Sequence, residues 1–227
     1  MNFFDSLYKA TLFDNRWTWY FQGLGKTLLI SLGAVTLGIF IGIIVSLVKY
    51  VHKKFGAFKV LNKIFDIYLA VFRGTPVYVQ LLIMYLIVLV KATDVWIAII
   101  TFGVNSGAYV AEIIRGGLES IDDGQIEAGC SLGLNKFQVM LFIVLPQAVR
   151  RALPPLCNEF ISLIKETSIV GTIGVVDLTK VAARIVARTY EPFAPYLIIA
   201  AMYLIIVVVL SKLLKLLERR LAKSDRQ

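Results

Sequence analysis

Long apolar runs alternate with short polar segments along this chain, a pattern typical of a protein that crosses a bilayer several times. Two uncharged runs, residues 27–48 and 193–211, exceed the roughly 18 residues that a membrane-spanning helix needs. Two further runs, residues 74–90 and 95–111, reach the minimum spanning length of roughly 17 residues. The hydrophobic pattern therefore predicts at least four transmembrane helices.

A fifth candidate span, residues 145–170, contains three charged residues, so hydropathy alone would leave it undecided. Backbone polar groups inside a bilayer must be paired within the segment, which favours helices throughout. The sequence thus predicts an all-α integral membrane protein with one transmembrane domain over residues 1–227 and a loop over residues 116–139. The five expected spans cover residues 24–48, 62–90, 95–115, 140–165 and 193–217.

The basic residues indicate how the chain is oriented. They concentrate in residues 49–63, 115–151 and 212–226, which follow the first span, separate the third from the fourth, and follow the last. By the positive-inside rule these segments face the cytoplasm, so we expect the amino terminus outside and the carboxyl terminus inside. The net charge of +9 then reflects membrane topology and not a nucleic-acid partner.

Small residues are frequent in the first span, where Gly38 and Gly42 have a spacing that lets helices approach closely. This surface packs either against another helix of the same chain or against a second subunit, and the sequence leaves both readings open. With 227 residues the chain is too short for two transporter halves, so we expect a second subunit to complete a pore.

The loop before the fourth span predicts a short helix outside the membrane. Asp122 and Asp123 are residues that cap helix starts, and Gly133 is suited to ending the helix. Between them lie Glu127 and Ala128, which begin a longer motif.

That motif follows the pattern E-A-A-x3-G-x9-I-x-L-P, with Gly129 in place of the second alanine. It comprises Glu127, Ala128, Gly129, Gly133, Ile143, Leu145 and Pro146, with Leu132 inside it. Further matching segments occupy residues 72–76, 105–109, 145–148, 158–160 and 165–168. On these motifs the chain resembles the permease subunits of ATP-binding-cassette (ABC) importers, within the polar amino acid permease family.

The resemblance implies that the short helix is a coupling helix that docks on a cytosolic ATPase. Its contacts would come from Glu127, Ala128, Gly129, Leu132 and Gly133. Without the motif, a surface helix whose small residues only fill space would explain the same segment.

The resemblance further implies a multi-pass protein of the prokaryotic inner membrane that carries no cofactor itself. Its expected partners are ATPase subunits that bind ATP and Mg²⁺, an identical or paralogous permease, an extracytoplasmic amino-acid-binding protein and membrane lipid.

Two carboxylates mark the candidate pathway. Glu159, Leu163 and Glu166 are four and three residues apart, which places them on one face of a helix. Acidic groups at membrane depth are costly unless they face water, a partner or a ligand, and a carboxylate can accept the ammonium of an amino acid. The alternative is a buried ion pair of Glu166 with Lys165 or Arg73.

Two places in the second and third spans could loosen helical hydrogen bonding. Pro76 removes a donor and frees the carbonyl of Phe72, and Gly107 exposes backbone. Membrane proteins often bind small polar substrates at such broken segments. The residues expected to contact substrate here are Thr75, Pro76, Gln80, Asn105, Ser106 and Tyr109. A packing kink satisfied by neighbouring side chains is the alternative reading.

The sequence predicts alternating-access import of polar amino acids, with the two carboxylates favouring cationic ones such as arginine, lysine or histidine. Glutamine, glutamate or cystine import, and a membrane sensor that docks an ATPase without transport, remain alternatives. An enzyme is disfavoured because the sequence contains no P-loop, no nucleophile elbow and no set of His, Cys and Glu with metal spacing. ATP hydrolysis would therefore belong to a partner.

Overall fold

The computed structural model describes residues 3–224, which are nearly all helical and contain no strand. Ten α-helices follow in chain order: α1 Phe3–Thr11, α2 Trp17–Phe55, α3 Lys59–Gly74, α4 Val77–Ile83, α5 Asp94–Glu119, α6 Asp123–Ser131, α7 Lys136–Val139, α8 Leu145–Glu166, α9 Leu178–Thr189 and α10 Phe193–Ser224. Short 3₁₀ or π segments join several of them: Phe13–Asn15, Met84–Val88, Met140–Val144 and Thr167–Ile173. The end of the expected domain and of the basic run 212–226 lies outside the described residues.

Within residues 3–224, four helical segments are long and apolar enough to cross a membrane: Phe13–Lys54, Asp94–Glu119, Lys136–Ile173 and Phe193–Arg220. The charged segment that hydropathy left undecided is thus part of a span. The helical segments Lys59–Gly74 and Val77–Val88 meet at a bend of 108°. If the two act together as one broken span, they make a fifth crossing. The predicted all-α membrane protein of about five spans is confirmed.

The second span, expected over residues 62–90 with loosened hydrogen bonding at Thr75 and Pro76, consists of two separate helices. Thr75 and Pro76 both have extended backbone conformations between α3 and α4. Proline lacks an N–H and disfavours a helical conformation in the residue before it, so the helix ends at Gly74. The sequence predicted loosening at this point, but not a full change of direction.

The centre of the fold is the contact between α2 and α5, where glycines let the two backbones approach. A Cβ on Gly42 would lie 2.4 Å from Cγ1 of Val110, and one on Gly103 would lie 2.7 Å from Cδ2 of Leu37. The small-residue surface of the first span therefore packs within the chain. Contacting positions increase together along both helices, so α2 and α5 run parallel. The chain between them must cross back, as the bent pair does.

The expected interruption of the third span near Gly107 does not occur, because α5 is helical from Asp94 to Glu119. Gly107 instead provides room for a neighbour, since a Cβ there would lie 2.8 Å from the hydroxyl of Tyr68. That hydroxyl donates a 2.6 Å hydrogen bond to the carbonyl of Val104. The glycine serves helix packing, and the helical backbone continues past it.

Candidate translocation and coupling sites

The Glu159 carboxylate is anchored on α5. Ser106, which is fully buried, donates a 2.8 Å hydrogen bond from its hydroxyl to Oε1 of Glu159. The pair joins α8 to the central helix at membrane depth and holds the carboxylate in one orientation. Because only one hydroxyl occupies this acceptor, Glu159 retains capacity to accept hydrogen bonds from a ligand.

Glu166 lies two helical turns further along α8, roughly 10 Å along the axis, and is exposed. Leu163, between the two acids, is only 1% exposed and packs in the core beside Ile30 and Phe102. It was expected among the substrate contacts, but the structure places it in the core, where it supports the helix that carries both carboxylates.

Arg73 pairs with Glu112 and not with Glu166. Its guanidinium lies 3.7 Å from Oε2 of Glu112 and 5.6 Å from the ring centre of Tyr109. Arg115 also binds Glu112, donating 2.6 Å and 3.3 Å hydrogen bonds to its two oxygens. In this conformation Arg73 therefore does not neutralise Glu166, and the alternative ion pair between them is not formed.

The break between α3 and α4 is held by two buried amides, and we call this group the kink clasp: Phe72, Thr75, Gln80 and Asn105. Asn105 donates one hydrogen bond to the carbonyl of Phe72 and another to Oε1 of Gln80, both at 2.9 Å. The Gln80 amide group in turn donates to the Phe72 carbonyl at 3.0 Å, and at 3.1 Å and 2.8 Å to the carbonyl and hydroxyl oxygens of Thr75.

The two amides of the kink clasp donate hydrogen bonds to the Phe72 carbonyl, which Pro76 leaves free. This agrees with the alternative interpretation, a packing kink whose backbone is satisfied by neighbouring side chains. The Thr75 hydroxyl donates its proton to the carbonyl of Val71 at 2.7 Å, so its donor is also occupied. In this conformation Thr75, Gln80 and Asn105 direct their donors at the protein itself. Pro76 is exposed at the bend, and Tyr109, also exposed, carries Arg73 on its ring.

Helix α6 has the start and end expected for the short helix in the loop. The Asp122 side chain accepts a 2.6 Å hydrogen bond from the backbone N–H of Gly124, which caps the helix start. Gly133 has φ +86°, a conformation that suits glycine and turns the chain toward α7. Glu127, Ala128 and Leu132 are exposed, and Leu132 has 83% of its surface accessible.

Gly129, the position that departs from the motif, faces inward. It is buried, and a Cβ there would lie 2.6 Å from Cδ1 of Ile143 and 3.0 Å from Cγ2 of Val139. Its expected role as a direct ATPase contact is therefore corrected, because the residue packs against the following helical segment. Glycine at this position lets α6 lie closer to the base of the fourth span.

The loop is fastened to the membrane helices by its own apolar cluster. Leu118, Ile121, Val139 and Val144 are buried together, with Ile126 of α6 packed against them. A displacement of α6 would therefore reach both α5 and α8.

Arg73, Glu112 and Arg115 form a group of ion pairs that we call the charge ladder. The sequence analysis did not identify it as a site, although the spacing of Glu112 and Arg115 by three residues indicates a pair on one helix face.

The arrangement defines a multi-pass membrane protein with polar side chains paired between its long apolar helices and a short helix, α6, in the segment before the fourth span. Residues 22–223 match the family described as "Binding-protein-dependent transport system inner membrane component". The chain belongs to this family, whose members are permease subunits of ABC importers. Its membership of the inner-membrane permeases, recognised from the motif, is confirmed, and the ATPase activity of such importers resides in a separate subunit.

Individual relatives agree with this membership. The chain is 40% identical over 204 residues to a putative glutamine transport system permease protein of Rickettsia typhi, covering 88% of this chain and 91% of the relative. It is 38% identical over 205 residues to the glutamine transport system permease protein of Escherichia coli K12, with coverages of 88% and 91%.

Solved structures of transporters share the fold. A crystal structure of an amino acid ABC transporter with histidines has a TM-score of 0.84 and 40% identity, covering 89% of this chain and 94% of that one. A methionine ABC transporter in an inward-facing conformation, at 21% identity, has a TM-score of 0.68 with coverages of 89% and 94% and is similar in fold.

Proposed function

We propose that this chain lines the translocation pathway of an importer for polar amino acids and works by alternating access. One observation carries the proposal: Glu159 and Glu166 stand on the same helix, and Ser106 orients the first of them from α5. A carboxylate held at membrane depth is costly without a compensating group. The ammonium of an amino acid is such a group, and it would bind transiently.

Cationic amino acids are the preferred substrates in this proposal. Two carboxylates about 10 Å apart along one helix can receive the α-ammonium and the side-chain cation of the same molecule. A related transporter was crystallised with histidines, which agrees with a basic substrate.

Glutamine is the second candidate. The Rickettsia typhi and Escherichia coli relatives carry that name. With glutamine, one carboxylate would bind the ammonium and the other would accept from the side-chain amide. Competition between the amino acids therefore separates the two candidates.

The kink clasp has a structural role in this proposal. Because Asn105 and Gln80 satisfy the backbone at the break, they keep α4 at its angle beside the carboxylates. Of the neighbouring residues Asn105 and Ser106, both expected to contact substrate, Ser106 is placed at the pathway by its hydrogen bond to Glu159.

Coupling to ATP hydrolysis is assigned to α6. The exposed side chains of Glu127, Ala128 and Leu132 would fit a cleft on a cytosolic ATPase, with Glu127 available to a basic partner residue. The amino terminus then lies outside and the carboxyl terminus in the cytoplasm. ATP and Mg²⁺ would bind to the ATPase, and this chain would need no cofactor.

A second permease subunit, identical or paralogous, would complete the pathway, and an extracytoplasmic binding protein would deliver the amino acid. ATP-driven closure of the two ATPases brings the coupling helices together and opens the pathway outward. Hydrolysis and release return it inward.

Reconstituted uptake tests the proposal. The permease and its ATPase are placed in liposomes with the binding protein, and ATP-dependent uptake of radiolabelled arginine, histidine and glutamine is measured. Glu159→Gln and Glu166→Gln are expected to lower uptake of the preferred substrate, whereas Glu191→Gln in the loop before α10 serves as the control. Unchanged uptake in both pathway variants would remove the carboxylates from the mechanism.

A second arm tests the coupling role separately. Glu127→Ala is expected to weaken copurification of the ATPase, whereas Glu159→Gln leaves copurification intact. The acidic control is Glu218→Ala on α10. If Glu127→Ala retains both ATPase binding and uptake, the docking surface lies elsewhere.

A further inference from the structure

An amino acid has a carboxylate as well as an ammonium, and the hydroxyl and amide donors beside the proposed pathway are already occupied. Thr75 and Asn105 donate their hydrogen bonds to acceptors of the protein itself. Ser106 donates its hydroxyl proton to Glu159. An anion without a partner is costly at membrane depth. Binding of the substrate carboxylate therefore requires another donor, preferably a cation.

Arg73 is a cation whose donors are free. Its guanidinium lies 3.7 Å from Oε2 of Glu112, and within residues 3–224 it donates no hydrogen bond. Glu112 is neutralised mainly by Arg115, which donates to its two oxygens at 2.6 Å and 3.3 Å. The Arg73 side chain is 43% exposed. A guanidinium carries five N–H donors in a planar fork that matches a carboxylate, so Arg73 retains both the charge and the geometry for such a ligand.

The ring of Tyr109 holds Arg73 beside the pathway. The guanidinium lies 5.6 Å from the ring centre, within the range of a cation–π contact. Helix geometry places Tyr109 one turn from Ser106 and about 60° round α5, whereas Asn105 lies about 100° round in the same direction. Ser106 faces α8 and Asn105 faces the break between α3 and α4. Tyr109 therefore lies between those two faces, where it is 38% exposed.

The contacts between α5 and α8 give the position of Tyr109 relative to Glu159. Ser106 binds Glu159, and a Cβ on Gly117 would lie 3.2 Å from Cβ of Ala152. Residue numbers thus rise along α5 while they fall along α8, so the two helices are antiparallel. One turn from Ser106 toward Gly117, Tyr109 lies about 4.5 Å along the axis from the Glu159 contact, in the direction of the start of α8.

Arg73 and Glu166 therefore lie on opposite sides of Glu159 along this groove. Their order is two anions followed by a cation: Glu166, Glu159 and Arg73. Arginine presents the complementary order, a side-chain cation followed by the α-ammonium and the α-carboxylate. Glutamine presents an amide followed by the same two groups. The short step between Glu159 and the level of Arg73 suits an ammonium and a carboxylate carried by one carbon atom.

We propose that Arg73 binds the α-carboxylate of the transported amino acid, with Tyr109 orienting its guanidinium. The inference rests on the proposed import of amino acids past Glu159, and it holds for arginine and glutamine alike because both have that carboxylate. On binding, Arg73 exchanges its 3.7 Å contact with Glu112 for the ligand. Arg115 keeps Glu112 paired in the meantime.

The test measures equilibrium binding to the detergent-solubilised complex of permease and ATPase, without the binding protein. The probes are arginine and agmatine, which is arginine without its carboxylate. Arg73→Gln is expected to weaken arginine binding about tenfold or more, since a hydrogen bond to a charged group contributes that factor, and not to weaken agmatine binding. Arg73→Lys keeps the charge but not the fork and should lose less. Lys63→Gln removes an exposed cation from the same helix and should change neither affinity.

Glu112→Gln separates ligand binding from a role in the charge ladder alone. It breaks the ladder but leaves Arg73 in place, so arginine binding should persist. Equal losses of arginine affinity in Glu112→Gln and Arg73→Gln would overturn the proposal. Wild-type arginine affinity in Arg73→Gln would overturn it too, as would a parallel loss of arginine and agmatine binding in that variant, which would indicate a structural role.

Failure of the import proposal has a different signature. Glu159→Gln should weaken arginine and agmatine binding alike, because both ligands carry the ammonium that Glu159 would accept. If Glu159→Gln changes neither affinity, that carboxylate does not bind substrate. A selective loss of arginine binding in Arg73→Gln would still assign the ligand carboxylate to Arg73, and retained agmatine binding shows that the variant is folded.

Discussion

The side-chain amide of Asn105 donates a 2.9 Å hydrogen bond to Oε1 of Gln80, joining the central helix α5 to the short helix α4 beyond the kink. Both residues are buried, and both also donate to the carbonyl of Phe72. The geometry of the broken span therefore depends on two side chains that are 25 residues apart in sequence.

Removing one amide from the kink clasp should destabilise the protein. Asn105→Ala leaves the Gln80 oxygen without its donor and takes one of two donors from the Phe72 carbonyl, and a buried polar group without a partner costs about 1–3 kcal/mol. Thermal unfolding in detergent should show a lower Tm. Thr36→Ala, at an exposed position where the hydroxyl bonds only its own helix, is the control. Equal Tm values for the two variants would contradict the structural role.

Glycine positions in α2 should differ sharply in their tolerance of a methyl group. Gly42→Ala places a Cβ against Val110, and such overpacking costs about 1–3 kcal/mol. Gly25→Ala meets no atom within 4 Å and should be neutral or stabilising by up to about 1 kcal/mol, since alanine favours helix. Unfolding midpoints of the two variants provide the measurement. A Gly42→Ala protein as stable as Gly25→Ala would show that α2 and α5 are not packed this closely.

Restoring the alanine of the motif at position 129 should strain the loop. Gly129→Ala brings its Cβ within 2.6 Å of Cδ1 of Ile143 and should cost about 1 kcal/mol, because the tip of an isoleucine can shift only partly. Ile143→Val removes that methyl group, so the double variant should be about 0.5–1.5 kcal/mol more stable than the sum of the two single changes predicts. A double-variant cycle of unfolding free energies measures this. Strict additivity would contradict the contact.

The charge ladder between α3 and α5 should contribute stability that salt weakens. Glu112→Gln removes the shared acceptor of Arg73 and Arg115, and we expect a loss of about 1 kcal/mol because both arginines are partly exposed to solvent. The difference in Tm from wild type should shrink between low and high ionic strength, since salt screens exposed charges. Glu191→Gln should show no such dependence. A salt-independent loss would indicate that packing, not charge, holds the ladder.

Local chemistry was readable where it acts over a few residues. Pro76 predicted a freed carbonyl at Phe72, because proline lacks the N–H that would bond four residues back. Asp122 and Gly133 predicted the two ends of α6, because capping and a positive φ are properties of single positions. The spans followed from hydropathy, since the bilayer imposes a length on each helix.

Side-chain partners were not readable, because a sequence does not show which helices are neighbours. In the sequence alone, Gly107 indicates an exposed backbone. In the structure, the missing side chain lets Tyr68 pack closely against this position. Gly129 appears as a surface substitution within the motif, yet Ile143 covers it. Leu163 shares a helix face with two carboxylates, but the core of α2 and α5 buries it.

The sequence by itself determined that this chain is a helical membrane protein of the ABC importer permeases, because span length, charge bias and a spaced motif are properties of the linear chain. Only the tertiary structure decided that the second span bends by 108° and that Asn105 and Gln80 hold the bend. Only there do Ser106 and Glu159 meet. Both contacts join α5 to helices distant in sequence, α4 and α8, and a linear sequence does not specify which helices become neighbours.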